Sequence, residues 1–191
     1  MKNSSRMSRT IILGLLAEGQ MHGYEIRKRL TDELGERADL NFGSIYYGLK
    51  KFVAQGWLEH IRDEAVDGNP ERSIYRLTRA GRAELARQVE ALLTDTSSGL
   101  QPLETGLNFI SGLPAGRAWQ VLSARYAALK ANYEAKLAAE PPAGEPLLDR
   151  LIREYRLYQL GAEVLWLKNS LPEVQSAAPE AFSRTKSSRR S

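Results

Sequence analysis

Cysteine is absent from the 191-residue sequence, and histidine occurs only twice, as His22 and His60. The lack of thiols excludes disulfides, a cysteine nucleophile and a cysteine-based zinc site. Neither histidine has a second ligand at a spacing typical of metal sites, so we interpret both as structural or surface residues. No Glu-x-x-His pair of the kind that builds carboxylate metal sites in helical bundles occurs. We therefore expect no metal, no cofactor and no enzymatic activity.

Long apolar runs are also missing. No stretch approaches the ~18 apolar residues that a helix needs to span a bilayer. The apolar segment from Ile11 to Ala17 is short, and no small-residue cleavage pattern follows it. We expect a cytoplasmic, unprocessed protein.

Most of the chain lacks an excess of positive charge. The formal net charge is +4, and the stretch from Ser183 to Ser191 alone contains Arg184, Lys186, Arg189 and Arg190 without an acidic residue. Because the remainder is close to neutral, bulk basicity does not support binding to nucleic acid. A prediction that the chain binds nucleic acid has to rest on the local placement of charge and on motifs.

The first 96 residues contain a series of amphipathic segments. Apolar periodicity predicts three helices, between Arg9 and Ala17, from Gly23 to Gly35 and from Phe42 to Gly56. The pattern then alternates in two segments around a Gly/Asn/Pro loop, from Trp57 to Arg62 and from Ser73 to Thr78, which predicts a β-hairpin. Thr78 is suited to cap a fourth helix.

The predicted third helix has two faces. Its apolar residues recur at the i, i+4, i+7 and i+8 positions of a core-facing stripe, namely Ile45, Leu49, Phe52 and Val53. Ser44, Tyr47 and Lys51 form the opposite stripe. Lys50 lies beside that stripe, and Tyr46 lies on the border, where core packing and contact with DNA are equally open.

Three helices, a two-stranded wing and a further helix form the order of a winged helix-turn-helix domain. The third helix of such a domain fits the major groove of DNA. A lysine pair alone is better explained by a solvated helix face, but the wing that follows at the right distance favours contact with DNA. We predict DNA contacts on this helix and in the wing, at Ser44, Tyr46, Tyr47, Lys50, Lys51, Asn69 and Arg72.

Three segments resemble the PadR family of bacterial transcriptional regulators in order and spacing. They are LGLLAEGQMHGYEI (Leu13 to Ile26), GSIYYGLKKFVAQGWLE (Gly43 to Glu59) and GNPERSIYRLTRAG (Gly68 to Gly81). The resemblance covers roughly the N-terminal half of the chain. It implies a dimeric DNA-binding protein, usually a repressor, with C-terminal helices that form the dimer and small aromatic or drug-like effectors.

Within that resemblance, Tyr46 matches the tyrosine of the GxxY motif on the recognition helix, and Ser44 matches the small polar residue before it. Lys50 occupies a commonly polar or basic position. The chain departs from the family pattern at Tyr47, where proline is frequent, at Gly48 inside the helix, and at Glu71 in a wing tip that is usually basic. The first two departures point to a sequence preference of this chain's own.

From residue 97 onward the pattern is helical. Leu103, Leu107 and Ile110 mark a short helix. A longer helix repeats at the a/d spacing of packed helix pairs, with Trp119, Leu122, Tyr126, Leu129 and Tyr133. The last predicted helix has one such stripe, formed by Leu148, Leu151, Tyr155, Tyr158, Ala162 and Leu165. It has a second stripe, formed by Leu157, Leu160, Val164 and Leu167.

A helix that is apolar on two sides has to be covered on both, and one helix hairpin covers only one. The second side predicts a symmetric homodimer. We therefore expect a winged helix-turn-helix domain at 1–96, an all-α dimerisation and effector domain at 97–171, and a basic disordered tail at 172–191. The fold class is mainly α with a small β-wing.

Aromatic residues of the second domain could line an effector pocket, namely Trp119, Tyr126, Tyr155, Tyr158 and Trp166. Aromatics at heptad spacing more often belong to a core or an interface, and that interpretation competes here. The predicted function is a DNA-binding transcriptional repressor that acts as a homodimer on a pseudo-palindromic operator and is released by a small aromatic effector. The alternative is a winged-helix adaptor that binds protein and has no sequence-specific affinity for DNA.

Overall fold

The computed structural model describes residues 2–34, 42–63, 73–97, 100–114, 116–177 and 179–182. Most of these residues are helical, and a small antiparallel sheet lies in the first half of the chain. The predicted fold class is confirmed. No helix among the described residues combines the length and the apolar character needed to cross a membrane.

The helices are α1 (Lys2–Ala17), α2 (Gly23–Leu34), α3 (Phe42–Ala54), α4 (Arg79–Thr94), α5 (Leu100–Asn108), α6 (Arg117–Ala138) and α7 (Leu147–Ser176). The strands are β1 (Met21–His22), β2 (Leu58–Asp63) and β3 (Ser73–Leu77). Short 3-10 helices occupy Ile110–Gly112 and Pro179–Phe182. The chain divides into two compact units, Met1–Leu92 with Leu100–Leu113, and Leu93–Gly99 with Pro114–Ser191.

The sheet has the order β1-β3-β2, and all its pairs are antiparallel. The predicted hairpin is therefore present as β2 and β3, with an irregular register between His60 and Arg62. The edge strand β1, which pairs Met21 with Tyr75, was not predicted. Two residues are too few for a period-2 pattern to stand out.

Helix α4 is fixed to the start of β2 by a polar cap and a close packing contact. The Thr78 hydroxyl accepts a hydrogen bond from the Gly81 N–H at 3.0 Å and donates to the Gly56 carbonyl at 2.7 Å. This confirms Thr78 as the cap of α4. A Cβ on Gly81 would lie 2.2 Å from the Trp57 carbonyl oxygen, so glycine is needed where α4 meets the strand.

The first unit includes α5, which differs from the predicted boundary between residues 96 and 97. The buried side chains of this segment, Leu103, Phe109, Ile110 and Leu113, belong to the core of the first unit. The Phe109 ring occupies the space where a Cβ on Gly14 of α1 would lie. The apolar stripe of α5 therefore adds a layer to the winged-helix unit.

The second unit is built on the pair α6 and α7. Helix α7 packs against α6 with its Leu157, Leu160, Val164 and Leu167 stripe, of which Leu167 is only 1% exposed. A Cβ on Gly161 would lie 2.9 Å from the Tyr133 ring, so the helices approach each other closely there.

Helix α7 also extends further than the sequence indicated. It continues to Ser176 with Pro172 inside it, so residues 172–176 are helical rather than part of a disordered tail. The Ser176 hydroxyl donates to the Pro172 carbonyl at 3.0 Å in this last turn. The basic residues from 183 onward lie outside the described residues.

Candidate nucleic-acid interface

The core-facing side of α3 anchors the candidate surface. Ile45, Leu49 and Phe52 are buried, and the Phe52 ring packs on the Trp57 ring with their centroids 5.4 Å apart. Val53 is half-buried. These side chains fix which face of α3 remains available. For the residues whose side chains are described, the division into two stripes is the one that the sequence predicted.

The C-terminal end of α3 is held by a glycine-based hydrogen-bond motif. Gly56 has a φ of 71°, and its N–H donates to the Val53 carbonyl at 2.9 Å. The Trp57 N–H reaches back to the Phe52 carbonyl at 2.9 Å. This pair of bonds satisfies helix carbonyls and turns the chain sharply into β2. The end of α3 and the base of the wing are therefore held together in one local structure.

The outward face of α3 is cationic and aromatic. Tyr47 is 70% exposed, and both Lys50 and Lys51 are exposed. The helix from Phe42 to Ala54 contains no acidic residue, so neither lysine is neutralised from within it. Ser44 belongs to the first turn of this helix, and its side chain lies outside the described residues. An exposed helix with this charge suits a polyanion.

The two adjacent tyrosines differ in their surroundings. Tyr46 is half-buried and its hydroxyl oxygen is shielded from solvent, whereas Tyr47 projects outward. Tyr46 therefore lies on the border between the two stripes, as its position in the helix predicted. The exposed tyrosine, Tyr47, is the one at which the sequence departs from the pattern that the resemblance implies.

The strands of the wing offer less free charge than their sequence suggests. Arg76 on β3 forms an exposed ion pair with Glu59 on β2 at 2.8 Å, and the His60 ring lies 5.5 Å from the Tyr75 ring. The predicted wing contacts Asn69 and Arg72 lie outside the described residues. Within the described part of the wing, Arg76 is thus already engaged by a carboxylate.

A second cation and aromatic pair, not singled out from the sequence, lies on α2. The Arg27 guanidinium lies 4.8 Å from the centroid of the exposed Tyr24 ring. Lys28 is exposed beside them, whereas Arg29 forms ion pairs with Glu18 and Glu25. The i, i+3 spacing of Tyr24 and Arg27 was the available signal.

A buried carboxylate supports the packing of α4 in the same unit. Glu84 is buried and accepts hydrogen bonds from Arg87 at 2.8 Å and from the Gln88 amide. Burial raises the pKa of its carboxyl, but these hydrogen bonds and the positive charges of Arg87 and Arg9 lower that pKa by more. The net result is a pKa below the ordinary value, so Glu84 is a carboxylate at neutral pH.

The five candidate effector residues occupy two environments in the second unit. Trp119 and Tyr126 are half-buried on α6. Tyr155, Tyr158 and Trp166 are exposed on α7. Within one chain, the three rings on α7 therefore face solvent and do not form the wall of an enclosed pocket.

The exposed rings of α7 belong to a longer apolar face. Its members are Leu147, Leu148, Leu151, Ile152, Tyr155, Tyr158, Leu165 and Trp166, and Tyr158 is 78% exposed. The face includes most of the first predicted stripe, while the second stripe packs on α6. A contiguous apolar face of this kind is typical of an interaction surface.

A buried arginine that the sequence pattern did not predict lies between α6 and α7. Arg125 on α6 is 3% exposed and forms an ion pair with Glu163 on α7. It also donates at 2.9 Å to the carbonyls of Leu93 and Asp95. Two of its acceptors are backbone atoms of another segment, so no side-chain pattern in the sequence could have identified them.

The chain is similar to known transcriptional regulators. Residues 12–87 match the model of the Transcriptional regulator PadR-like family. A curated relative, the negative transcriptional regulator PadR of Bacillus subtilis (strain 168), is 34% identical over 80 residues, which make up 42% of this chain and 43% of the relative. The chain thus matches less than half the length of that relative.

Two solved structures of Bacillus subtilis PadR are also similar. The complex with operator DNA is 25% identical, covers 86% of this chain and 96% of that one, and has a TM-score of 0.38. The complex with p-coumaric acid is 23% identical, covers 89% of this chain and 99% of that one, and has a TM-score of 0.37.

Proposed function

We propose that the chain is a homodimeric, DNA-binding repressor, and the match of residues 12–87 to the model of the Transcriptional regulator PadR-like family supports this proposal. It acts in the cytoplasm on a pseudo-palindromic operator. The match ends within α4, so the proposal for the second unit rests on the residues of this chain.

The outward face of α3 is the observation that carries the proposal. Helix α3 is held by packing on its core side and by hydrogen bonds at its C-terminal end. It exposes Tyr47, Lys50 and Lys51 to solvent and contains no acidic residue. An α-helix with side chains is ~10–12 Å across and the major groove is ~12 Å wide, so such a helix fits the groove.

Each residue of that face has a proposed role. Lys50 and Lys51 neutralise phosphates, and Tyr47 contacts base edges. Ser44 contacts a phosphate near the start of the helix. Tyr46 has a buried hydroxyl oxygen and lies one helical turn before Lys50, so it contributes by supporting that lysine from the border of the face. Asn69 and Arg72 remain proposed contacts of the wing tip.

The proposed sign of regulation is repression. It is supported by the curated relative, which is described as a negative transcriptional regulator. A repressor of this kind occupies its operator in the ground state and leaves it when a signal arrives.

Dimerisation is proposed through the exposed apolar face of α7. Helix α6 covers one stripe of α7 and leaves the other in solvent, including Leu151, Tyr155 and Tyr158. A second copy around a two-fold axis would cover that face and present two α3 helices to two half-sites. The half-sites are then about one helical turn apart, or a multiple of it.

Release by a small aromatic molecule completes the proposal. Dimerisation through α7 would enclose Tyr155, Tyr158 and Trp166, which face solvent in the single chain. An interface lined by these rings suits a planar aromatic ligand, since ligand sites favour apolar and aromatic walls. Trp119 and Tyr126 are the proposed contributions from α6.

A salt titration on random duplex DNA, followed by selection of bound duplexes from a random pool, tests the proposal. A DNA-binding regulator loses affinity steeply as salt rises, because counterions are released from the phosphates it contacts. It also enriches a pseudo-palindromic site. A protein-binding adaptor would bind random duplex hardly at all, even at low salt, and would enrich no sequence.

A further inference from the structure

Gly48 lies inside α3, directly after the exposed Tyr47 and directly before the buried Leu49. A glycine in a helix interior destabilises the fold relative to alanine, because the unfolded chain has more conformational freedom to lose. Glycine is usually retained in such a place when the backbone needs a positive φ or when another group approaches closely.

Among the residues that the structure describes, neither reason applies to Gly48. Gly56 and Gly144 have positive φ, and a Cβ on Gly14 or Gly81 would meet other atoms of the protein. Of the nine glycines whose surroundings are described, Gly48 has neither a positive φ nor an atom within 4 Å of an added Cβ. Alanine would fit there without strain against any described residue, so the described part of the chain gives no reason for the glycine.

Gly48 lies next to the outward face of α3. Residues three and four apart are neighbours on a helix surface, so Gly48 lies beside Lys51 and one turn after Ser44. It occupies the flank of the outward face, between the exposed residues and the buried Phe52. An added Cβ would meet open space there among the described residues, so the backbone of α3 is bare at this point.

We propose that Gly48 is a position of close approach to double-stranded DNA, at which the bare backbone of α3 lies against a wall of the major groove. The inference rests on the proposed DNA-binding function and deepens it. An α-helix with a diameter of ~10–12 Å nearly fills a major groove that is ~12 Å wide. One added carbon projects ~1.5 Å from the backbone, which is enough to change how deep the helix lies.

A methyl group on this flank holds α3 further out of the groove. Base contacts by Tyr47 depend on how deep the helix lies, whereas the long side chains of Lys50 and Lys51 still reach phosphates. Gly48 therefore determines specificity more than overall affinity. Gly48→Ala therefore stabilises the fold but weakens recognition of the DNA sequence.

The test compares Gly48→Ala and Gly48→Leu with the parent chain. The DNA probes are a duplex selected from a random pool by the parent chain, and a random duplex of equal length. Ala83→Gly on α4 is the matched control, because Ala83 is exposed and the change alters helix propensity equally in the opposite direction. The double variant Gly48→Ala with Ala83→Gly restores the parental stability.

For Gly48→Ala we expect the midpoint of thermal unfolding to rise by about 2 °C. Its dissociation constant for the selected duplex should rise about tenfold, the effect of losing one good base contact. Binding to random duplex should change much less. Gly48→Leu should weaken binding further, the double variant should keep the weakened binding at parental stability, and Ala83→Gly should bind like the parent.

Equal or tighter binding of the selected duplex by Gly48→Ala overturns the inference while leaving the proposed function intact. A lower unfolding midpoint for Gly48→Ala also overturns it, because the glycine would then serve the fold. A parent chain that binds neither duplex contradicts the proposed function itself.

Discussion

The guanidinium of Arg125 lies 2.6 Å from the carboxylate of Glu163, although 38 residues separate them. The pair joins α6 to α7. The same guanidinium donates hydrogen bonds to two carbonyls, that of Leu93 in the last turn of α4 and that of Asp95 just after the helix. One buried side chain thus joins three segments of the second unit.

Replacement of Arg125 by alanine should lower the free energy of unfolding by about 3 kcal/mol. The substitution leaves Glu163 and two carbonyls without their donor, and breaking a buried pair on one side costs about 3–5 kcal/mol. Urea unfolding followed by circular dichroism measures the change. Arg156→Ala, at an exposed arginine of α7, is the matched control and should leave the midpoint within experimental error. Equal effects of the two substitutions would contradict the assigned role of Arg125.

The stability contributed by Glu84 should depend on pH. Its pKa in the folded protein lies below the ordinary value, so the unfolded chain binds more protons in the intervening range. The contribution is therefore fully present above the unfolded pKa of about 4.3 and is lost as the pH falls through the folded pKa. The difference in unfolding free energy between the parent and Glu84→Gln should be larger at pH 7 than at about pH 3. An equal difference at both would show that the carboxylate is not stabilised by the fold.

The apolar face of α7 should control the oligomeric state. Leu151→Glu places a charge in the centre of that face, so the variant should be monomeric under conditions in which the parent is a dimer. Light scattering with size-exclusion chromatography measures the mass, and circular dichroism checks that the helices are kept. Lys168→Glu, on an exposed part of α7 away from the apolar face, should remain dimeric. A monomeric parent at micromolar concentration would refute dimerisation through α7.

Tyr47 should contribute specificity. Tyr47→Ala should weaken binding to a selected duplex by about tenfold, since a good base contact is worth about 1–3 kcal/mol, and should affect random duplex far less. Tyr24→Ala, at the exposed tyrosine of α2, is the control for loss of an exposed ring. If both variants lost affinity equally for both duplexes, Tyr47 would have no special role in reading bases.

The sequence was sufficient to predict those elements that have strong local patterns. The two stripes of α3, the β2 and β3 hairpin and the Thr78 cap all follow from periodicity or from one capping residue, and the structure has each of them. Strand β1 was missed because its two residues depend on pairing with Tyr75 and Ile74, more than fifty residues away. Such a contact leaves no local pattern.

For the second half of the chain, the sequence predicted the apolar stripes of the helices but not which surfaces pack against each other. Two apolar stripes on α7 were visible, yet only the structure distinguishes the stripe that packs on α6 from the stripe that faces solvent. Arg125 was overlooked because its acceptors include backbone carbonyls. The short helix α5 was assigned to the second domain, because the sequence does not reveal that Phe109 packs against Gly14.

The most direct test of DNA binding by the outward face of α3 is the salt dependence of binding to a selected duplex. It compares the parent with the double variant Lys50→Ala and Lys51→Ala. Each phosphate contact contributes about −0.9 to the slope of log K against log salt, so the variant should bind more weakly, with a slope shallower by about 2 per protomer. An unchanged slope and affinity, or a parent that binds no duplex at low salt, would contradict the account.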